Sequence, residues 1–268
     1  MKNKFSWIYG FAAAVILLAA GLVVVELRSK PGAGAVAPAR TDLHADKDLD
    51  AGVPAPSAGT LEKYTRAGNS SEKIAVLNGI AQSSTDKKML ELVYKALEDP
   101  DDDVRFAAAQ QLDRFDANDV IPAISKALGD SNEEVRLLAV NALGEADAPE
   151  TARLLAKGVG DDSEDVRRAV FSIAFTKDTP TREALLEAAV GSQYQDVKES
   201  LIDLAVDTPS RRTVETLLRA LKDGDEELRT GIFAALEVFF SEEFKTGDDA
   251  RNWWTKNSSG FDDELVEK

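Results

Sequence analysis

The chain contains no cysteine. Disulfides, thiolate metal sites, cysteine nucleophiles and a lipidated N-terminal cysteine are therefore excluded, and the absence fits any redox compartment. The single histidine, His44, lies in a Pro/Ala/Gly-rich stretch and is assigned no role. Ser-His-Asp catalysis within the folded part is thereby excluded. There is no Gly-rich phosphate loop with its Lys-Ser/Thr, no HExxH and no Cys/His cluster. "DPDDD" at 99–103 gathers carboxylates but lacks the spacing of an EF-hand loop. Pairs such as Asp101 and Asp102 stand at helix starts, where capping explains them. No catalytic residue, metal ligand or cofactor is expected, and the chain reads as a non-enzyme.

Basic charge is also in short supply. There are 32 Lys and Arg against 48 Asp and Glu, for a net charge of −16. Residues 1–59 hold six basic and five acidic side chains, which leaves 26 against 43 for residues 60–268. A surface this negative repels phosphate backbones, so nucleic acid is not an expected partner. A basic partner fits better.

One long apolar run is present. Phe5 to Val25, "FSWIYGFAAAVILLAAGLVVV", is 21 residues without a charge. At about 1.5 Å per residue it spans roughly 30 Å, the thickness of a bilayer core. Trp7 and Tyr9 sit at one end, as interfacial aromatics do. The rival reading is a cleaved signal peptide. Its apolar stretch would be shorter, and Glu26, Arg28 and Lys30 make a poor approach to a cleavage site, though Ala33-Gly34-Ala35 offers one. The reading adopted is an uncleaved single-pass anchor through residues 5–25, N-terminus in, with the bulk of the chain extracytoplasmic. The positive-inside count is close to a tie, with Lys2 and Lys4 before the run and Arg28 and Lys30 after it. Orientation therefore follows the short N-terminal tail. Residues 29–59 are dominated by Ala, Pro, Gly and Asp, without an apolar period. Such a segment buries too little to offset its ordering entropy and reads as a linker. The chain thus divides into an anchor (1–28), a linker (29–59), a folded region (60–240) and a C-terminal cap with an acidic tail (241–268).

The folded region repeats itself. Val104-Arg105, Val135-Arg136, Val166-Arg167, Val197-Lys198 and Leu228-Arg229 follow one another at 31-residue steps. A weaker copy, "EKIAVLNGI" at 72–80, precedes them with its register off by one. An aspartate lies six residues before the basic residue in four copies, Asp99, Asp130, Asp161 and Asp223, with Ser192 in the other. Asp130, Asp161 and Asp223 have a glutamate three residues on, which reads as an N-cap with acids in the first turn. Pro100 reads as a first helical residue. Apolar residues follow at helical spacing, for example Val135, Leu138, Ala139, Ala142 and Leu143. Small residues at Ala107, Ala108, Ala139, Ala169 and Gly231 allow close approach. A second helix completes each period, with Leu97, Leu128, Val159, Val190 and Leu221 as its own column. One such hairpin cannot cover its apolar stripe, and stacking does so. The expected fold is all-α, an α-solenoid of helical hairpins, with the basic column bonded across adjoining turns as a ladder.

The pattern "L…D…VR.AA…L" resembles the HEAT repeat, in particular the short HEAT-like repeats of bilin-lyase proteins, over roughly residues 70–240. The resemblance implies a solenoid whose Val-Arg helices line the concave face. It also implies a scaffold or adaptor, with a bilin lyase or isomerase, or a subunit of one, as the alternative. The motif holds no catalytic group to carry over.

An outward stripe on the Val-Arg helices is the candidate docking surface. Its first row is acidic: Asp103, Glu134, Asp165, Asp196 and Glu227. This row is either helix-dipole compensation or a ridge that attracts a basic segment. The second row is Phe106, Leu137, Arg168, Glu199 and Thr230, and the third Gln110, Asn141, Ser172, Asp203 and Ala234. Phe106 and Leu137 are either exposed anchors for a partner or covered by a helix around Leu61 and Tyr64. The expected partner is a protein of unknown identity held on this stripe. Beyond the repeats, Trp253 and Trp254 read as a cap over the last open face, in a stretch resembling the Trp-Trp ending seen after HEAT-like repeats in some bacterial proteins. Residues 257–268 are expected to be frayed and solvated.

Overall fold

A computed structural model describes residues 59–79 and 87–268. The expected anchor at 5–25 and the expected linker, except Gly59, lie outside the described residues. Among the described residues, no helix is long and apolar enough to cross a membrane.

The described chain is α-helical, in hairpins. In order they are α1 (Gly59–Arg66), α2 (Ser70–Asn78), α3 (Lys87–Ala96), α4 (Asp102–Ala109), α5 (Ile121–Ala127), α6 (Glu133–Ala142), α7 (Thr151–Gly158), α8 (Glu164–Ala174), α9 (Thr179–Ala189), α10 (Gln195–Val206), α11 (Arg211–Ala220), α12 (Glu226–Phe240) and α13 (Gly247–Asn257). Helices α4 and α6 each run into a 3-10 turn, Leu112–Arg114 and Leu143–Glu145. Even-numbered helices pack in sequence, α2 on α4, then α6, α8, α10 and α12. Among the odd-numbered helices α1 packs on α3, α7 on α9, α9 on α11 and α11 on α13. Each hairpin therefore lends its apolar stripe to the next, the two-row stack that the 31-residue period predicts. One continuous core runs from Tyr64 to Trp254. Val104, Val135, Val166 and Val197 are fully buried and Leu228 nearly so.

Helix starts differ from the sequence reading. The caps are Asp101, Asn132 and Asp225, whose side chains accept backbone N–H groups in the first turns of α4, α6 and α12. Asp99, Asp130 and Asp161 stand two residues earlier, before the caps or, for Asp161, before the first residue flanking α8. Each accepts the backbone N–H two residues on, at 3.2, 2.9 and 2.9 Å. Such Asx turns leave the second carboxylate oxygen free for another donor. Pro100 accordingly lies outside the helix, before the Asp101 cap.

Two glycines mark the closest approaches. A Cβ at Gly158 would lie 2.6 Å from a Val170 methyl. One at Gly231 would lie 2.9 Å from Ile202 Cγ1, so Ile202 rests on the bare backbone of α12.

The C-terminal cap is present and larger than expected. Helix α13 opens with a capping box, Thr246 with Asp249. Its Trp253 and Trp254 join Phe240 and Phe261 in one aromatic cluster, with ring centroids 4.6 to 6.2 Å apart. Residues 258–268 are not frayed. They make a 3-10 turn (Ser258–Gly260) and a small antiparallel bridge between Phe261 and Glu267. The Arg211 N–H donates to the Asp263 carbonyl at 3.0 Å, which ties this tail to the start of α11. Phe261 supplies the reason: an apolar ring in a polar stretch finds the tryptophans and takes its neighbours with it.

Candidate functional site

The ladder is the first feature that the repeat builds. Arg105 Nε and Nη2 clamp the Asp130 carboxylate at 2.8 and 3.0 Å, and Arg136 clamps Asp161 at 2.8 and 2.8 Å. Nη1 of each arginine turns back to two backbone carbonyls of its own hairpin, Asp99 and Pro100 for Arg105, Asp130 and Ser131 for Arg136. One guanidinium thus joins two hairpins, using its fork of donors. The weak first copy takes part, since Lys73 Nζ reaches Asp99 at 2.7 Å. Asp99 also accepts the buried Tyr64 hydroxyl at 2.7 Å. Burial and the neighbouring Asp99 push the Tyr64 phenol well above its ordinary value. Burial alone would raise Asp130 and Asp161. The hydrogen bonds from Arg105 and Arg136 and from the turn amides outweigh it and hold both below the usual carboxylate range.

Two rungs depart from the repeat. Where Ser192 replaces the aspartate, Arg167 takes Asp196 at 2.9 and 3.0 Å and stacks 3.8 Å over the Tyr194 ring. Lys198 pairs with the cap Asp225 rather than with Asp223. Asp196 therefore leaves the acidic docking row. It is half-buried in the ladder, whereas Asp103, Glu134, Asp165 and Glu227 are exposed as expected. Asp165 is partly offset on its own helix, where exposed Arg168 pairs with both it and Glu164.

The acidic row is consequently not continuous. At one end Asp103 and Glu134 stand on α4 and α6 above Phe106 and Leu137. These two apolar residues are half-buried and pack against the core, not freely exposed. At the other end Glu227 on α12 meets Glu199 and Asp203 on α10 across a groove of about 370 Å³ floored by Ile202, Leu228 and Gly231. Gln195 donates to Glu199 at 3.2 Å and steadies it. The structure thus brings Glu199 and Glu227 together and places Asp165, Arg168 and Asp196 in a middle where two arginines engage three carboxylates.

A second basic column escaped the sequence reading. Lys126 reaches back to Glu98 at 2.6 Å, and Arg219 grips Glu187 at 2.7 and 2.8 Å, tying odd-numbered helices together. The Arg219 hydrogen bonds lower the Glu187 carboxyl. Lys95, Lys126 and Lys157 follow one another at 31 residues and Arg219 stands two periods further on, past Ala188, so the signal was there to be read.

A HEAT-repeat family model matches residues 90–174. That is a little under a third of the chain, and the ladder of ion pairs goes on past it through Lys198. Among solved structures the chain is similar to an engineered protein at 16% identity, covering 67% of this chain and 95% of that one with a TM-score of 0.42. It is also similar to a computationally designed armadillo repeat protein for modular peptide recognition, at 19% identity, covering 67% and 98% with a TM-score of 0.41. A second engineered protein, 19% identical, is covered over 60% of its length and covers 73% of this chain, with a TM-score of 0.40. No curated protein matches the chain.

Proposed function

We propose that this protein is a non-catalytic scaffold that binds a basic protein partner along its even-numbered helices. The observation that carries the reading is the groove in which Glu199, Asp203 and Glu227 converge over an apolar floor. Lys198 also lines the groove but is paired with Asp225. A cationic segment gains from both features, since carboxylates neutralise its charge and Ile202 and Leu228 cover its stems. Asp103 and Glu134, beside Phe106 and Leu137, extend the same surface. In this reading residues 5–25 tether the scaffold to a membrane, with the solenoid on the extracytoplasmic side, and the linker sets its reach. The acidic balance disfavours nucleic acid.

The test is site-specific photocrosslinking in intact cells, with the crosslinker at Asp203 and, as a control, at Arg153 on α7. The expected result is one partner captured at Asp203 through a Lys- or Arg-rich peptide, and none from α7. Crosslinks confined to α7, or to acidic peptides, would sink the proposal. Protease accessibility of the solenoid in intact cells tests the topology.

A further inference from the structure

A second groove lies on the same row of helices, and of the predicted stripe only Gln110 and Asn141 reach it. It opens between the last turns of α4 and α6, with a volume of about 740 Å³. Asp113, Asp116 and Glu145 line it, with Asn141 beside them and Phe115 and Leu138 below. All three acids are exposed, and no basic side chain is among the described residues lining it. Both helices end here, so their carbonyl ends add to the negative potential. The loop is held in shape by Asn118, whose side-chain oxygen accepts the Asp147 N–H at 3.2 Å. The chemistry resembles that of the α10/α12 groove, three carboxylates, an amide and an apolar floor, without the lysine, Lys198, that lines the latter.

We propose that the two grooves anchor a single partner segment, an extended stretch with two arginines about eight residues apart. The proposal rests on the reading that this row of helices is the docking face. Arginine fits better than lysine because its planar fork meets paired carboxylates and amides while its stem lies on the floor. The spacing follows from the stack. The two grooves are three helix steps apart, at about 8–10 Å each. That distance of about 25–30 Å is spanned by about eight residues of extended chain at roughly 3.3–3.6 Å per residue. In the middle Arg168 and Arg167 already engage Glu164, Asp165 and Asp196, which leaves less negative charge than either groove holds and favours uncharged residues between the two arginines.

The test uses the full-length chain and synthetic peptides, neutral apart from two arginines separated by zero, four, eight or sixteen residues. Affinities are measured by fluorescence anisotropy at low and physiological salt. The eight-residue peptide is expected to bind at least tenfold more tightly than the others, because the second contact becomes intramolecular. D113N/D116N/E145Q is expected to erase that advantage and leave the residual affinity of a single-arginine peptide. E199Q/D203N/E227Q should do the same from the other end. Equal affinity at all spacings, with loss only in the α10/α12 variant, would overturn the two-groove proposal and leave the scaffold reading standing. Failure of every basic peptide to bind the unaltered chain would overturn both. The carboxylates are exposed, so an unchanged melting temperature shows that each variant is folded.

Discussion

Arg167 is the ladder residue that adds an aromatic stack to its ion pair. It accounts for a two-pronged carboxylate pair, two backbone carbonyls and a stacked tyrosine, in a site where it is only 5% exposed. Arg167→Lys keeps the charge but not the fork or the flat face, and should cost about 2–3 kcal/mol. Lys198→Arg, in the equivalent place one hairpin on, should be close to neutral. Chemical denaturation of the two variants checks both. Glycine makes a second contrast. Gly158→Ala would force a methyl to 2.6 Å from Val170 and should destabilise by about 1–3 kcal/mol. Gly160→Ala meets nothing within 4 Å and should be neutral or stabilising by up to about 1 kcal/mol. If Gly158→Ala also stabilised the chain, the tight approach of α7 to α8 would be refuted. At this scale the sequence was half legible. The basic column showed itself by repetition, and so did its role as a ladder. Its acceptors did not, because Asp130 followed by Glu133 reads as a cap and nothing local shows that a carboxylate is claimed by an arginine 25 residues earlier. For the same reason Asp165 and Asp196 looked like their neighbours until their partners were placed.

Elements were easier to anticipate, except the last. Two helices per period follow from the apolar spacing, and the described repeats from α3 onward each have them. The tail did not announce itself, because "NSSGFDDELVEK" is mostly polar and its order depends on Phe261 reaching rings 7 to 21 residues away. Ending the chain after Asn257 should remove that ring and the Ser258 and Asp263 carbonyls that hold Arg211. The loss should be on the order of 2–3 kcal/mol, confined to the end of the stack. Tryptophan emission should shift to the red, and α13 should lose hydrogen-exchange protection while α4 and α6 keep theirs. Equal loss of protection in all helices would show that the stack unfolds as one unit.

Across the whole molecule, acid should be the most telling stress. Asp99, Asp130 and Asp161 are all held below the usual carboxylate range. A group whose folded value is depressed stabilises the fold fully above its unfolded value, about 3.9 for aspartate, and loses that contribution as pH falls through the folded value. The melting temperature should therefore be flat from neutral pH to about 5 and fall steeply below about 4. In D130N/D161N the midpoint at neutral pH should be lower and the acid fall shallower. A variant whose acid fall matched that of the unaltered chain would place the sensitivity elsewhere. Coupling should also be local. Arg136→Ala with Asp161→Ala should be strongly non-additive, whereas Arg105→Ala with Lys198→Ala should add.

The ladder has a direction, and that direction matters for a polypeptide made from its amino end. Lys73, Arg105, Arg136, Arg167 and Lys198 are each synthesised 25 to 29 residues before the carboxylate that neutralises them. A nascent chain therefore closes each rung only after the next hairpin has been made, and a product that stops between a cation and its carboxylate ends with that cation still waiting for its anion.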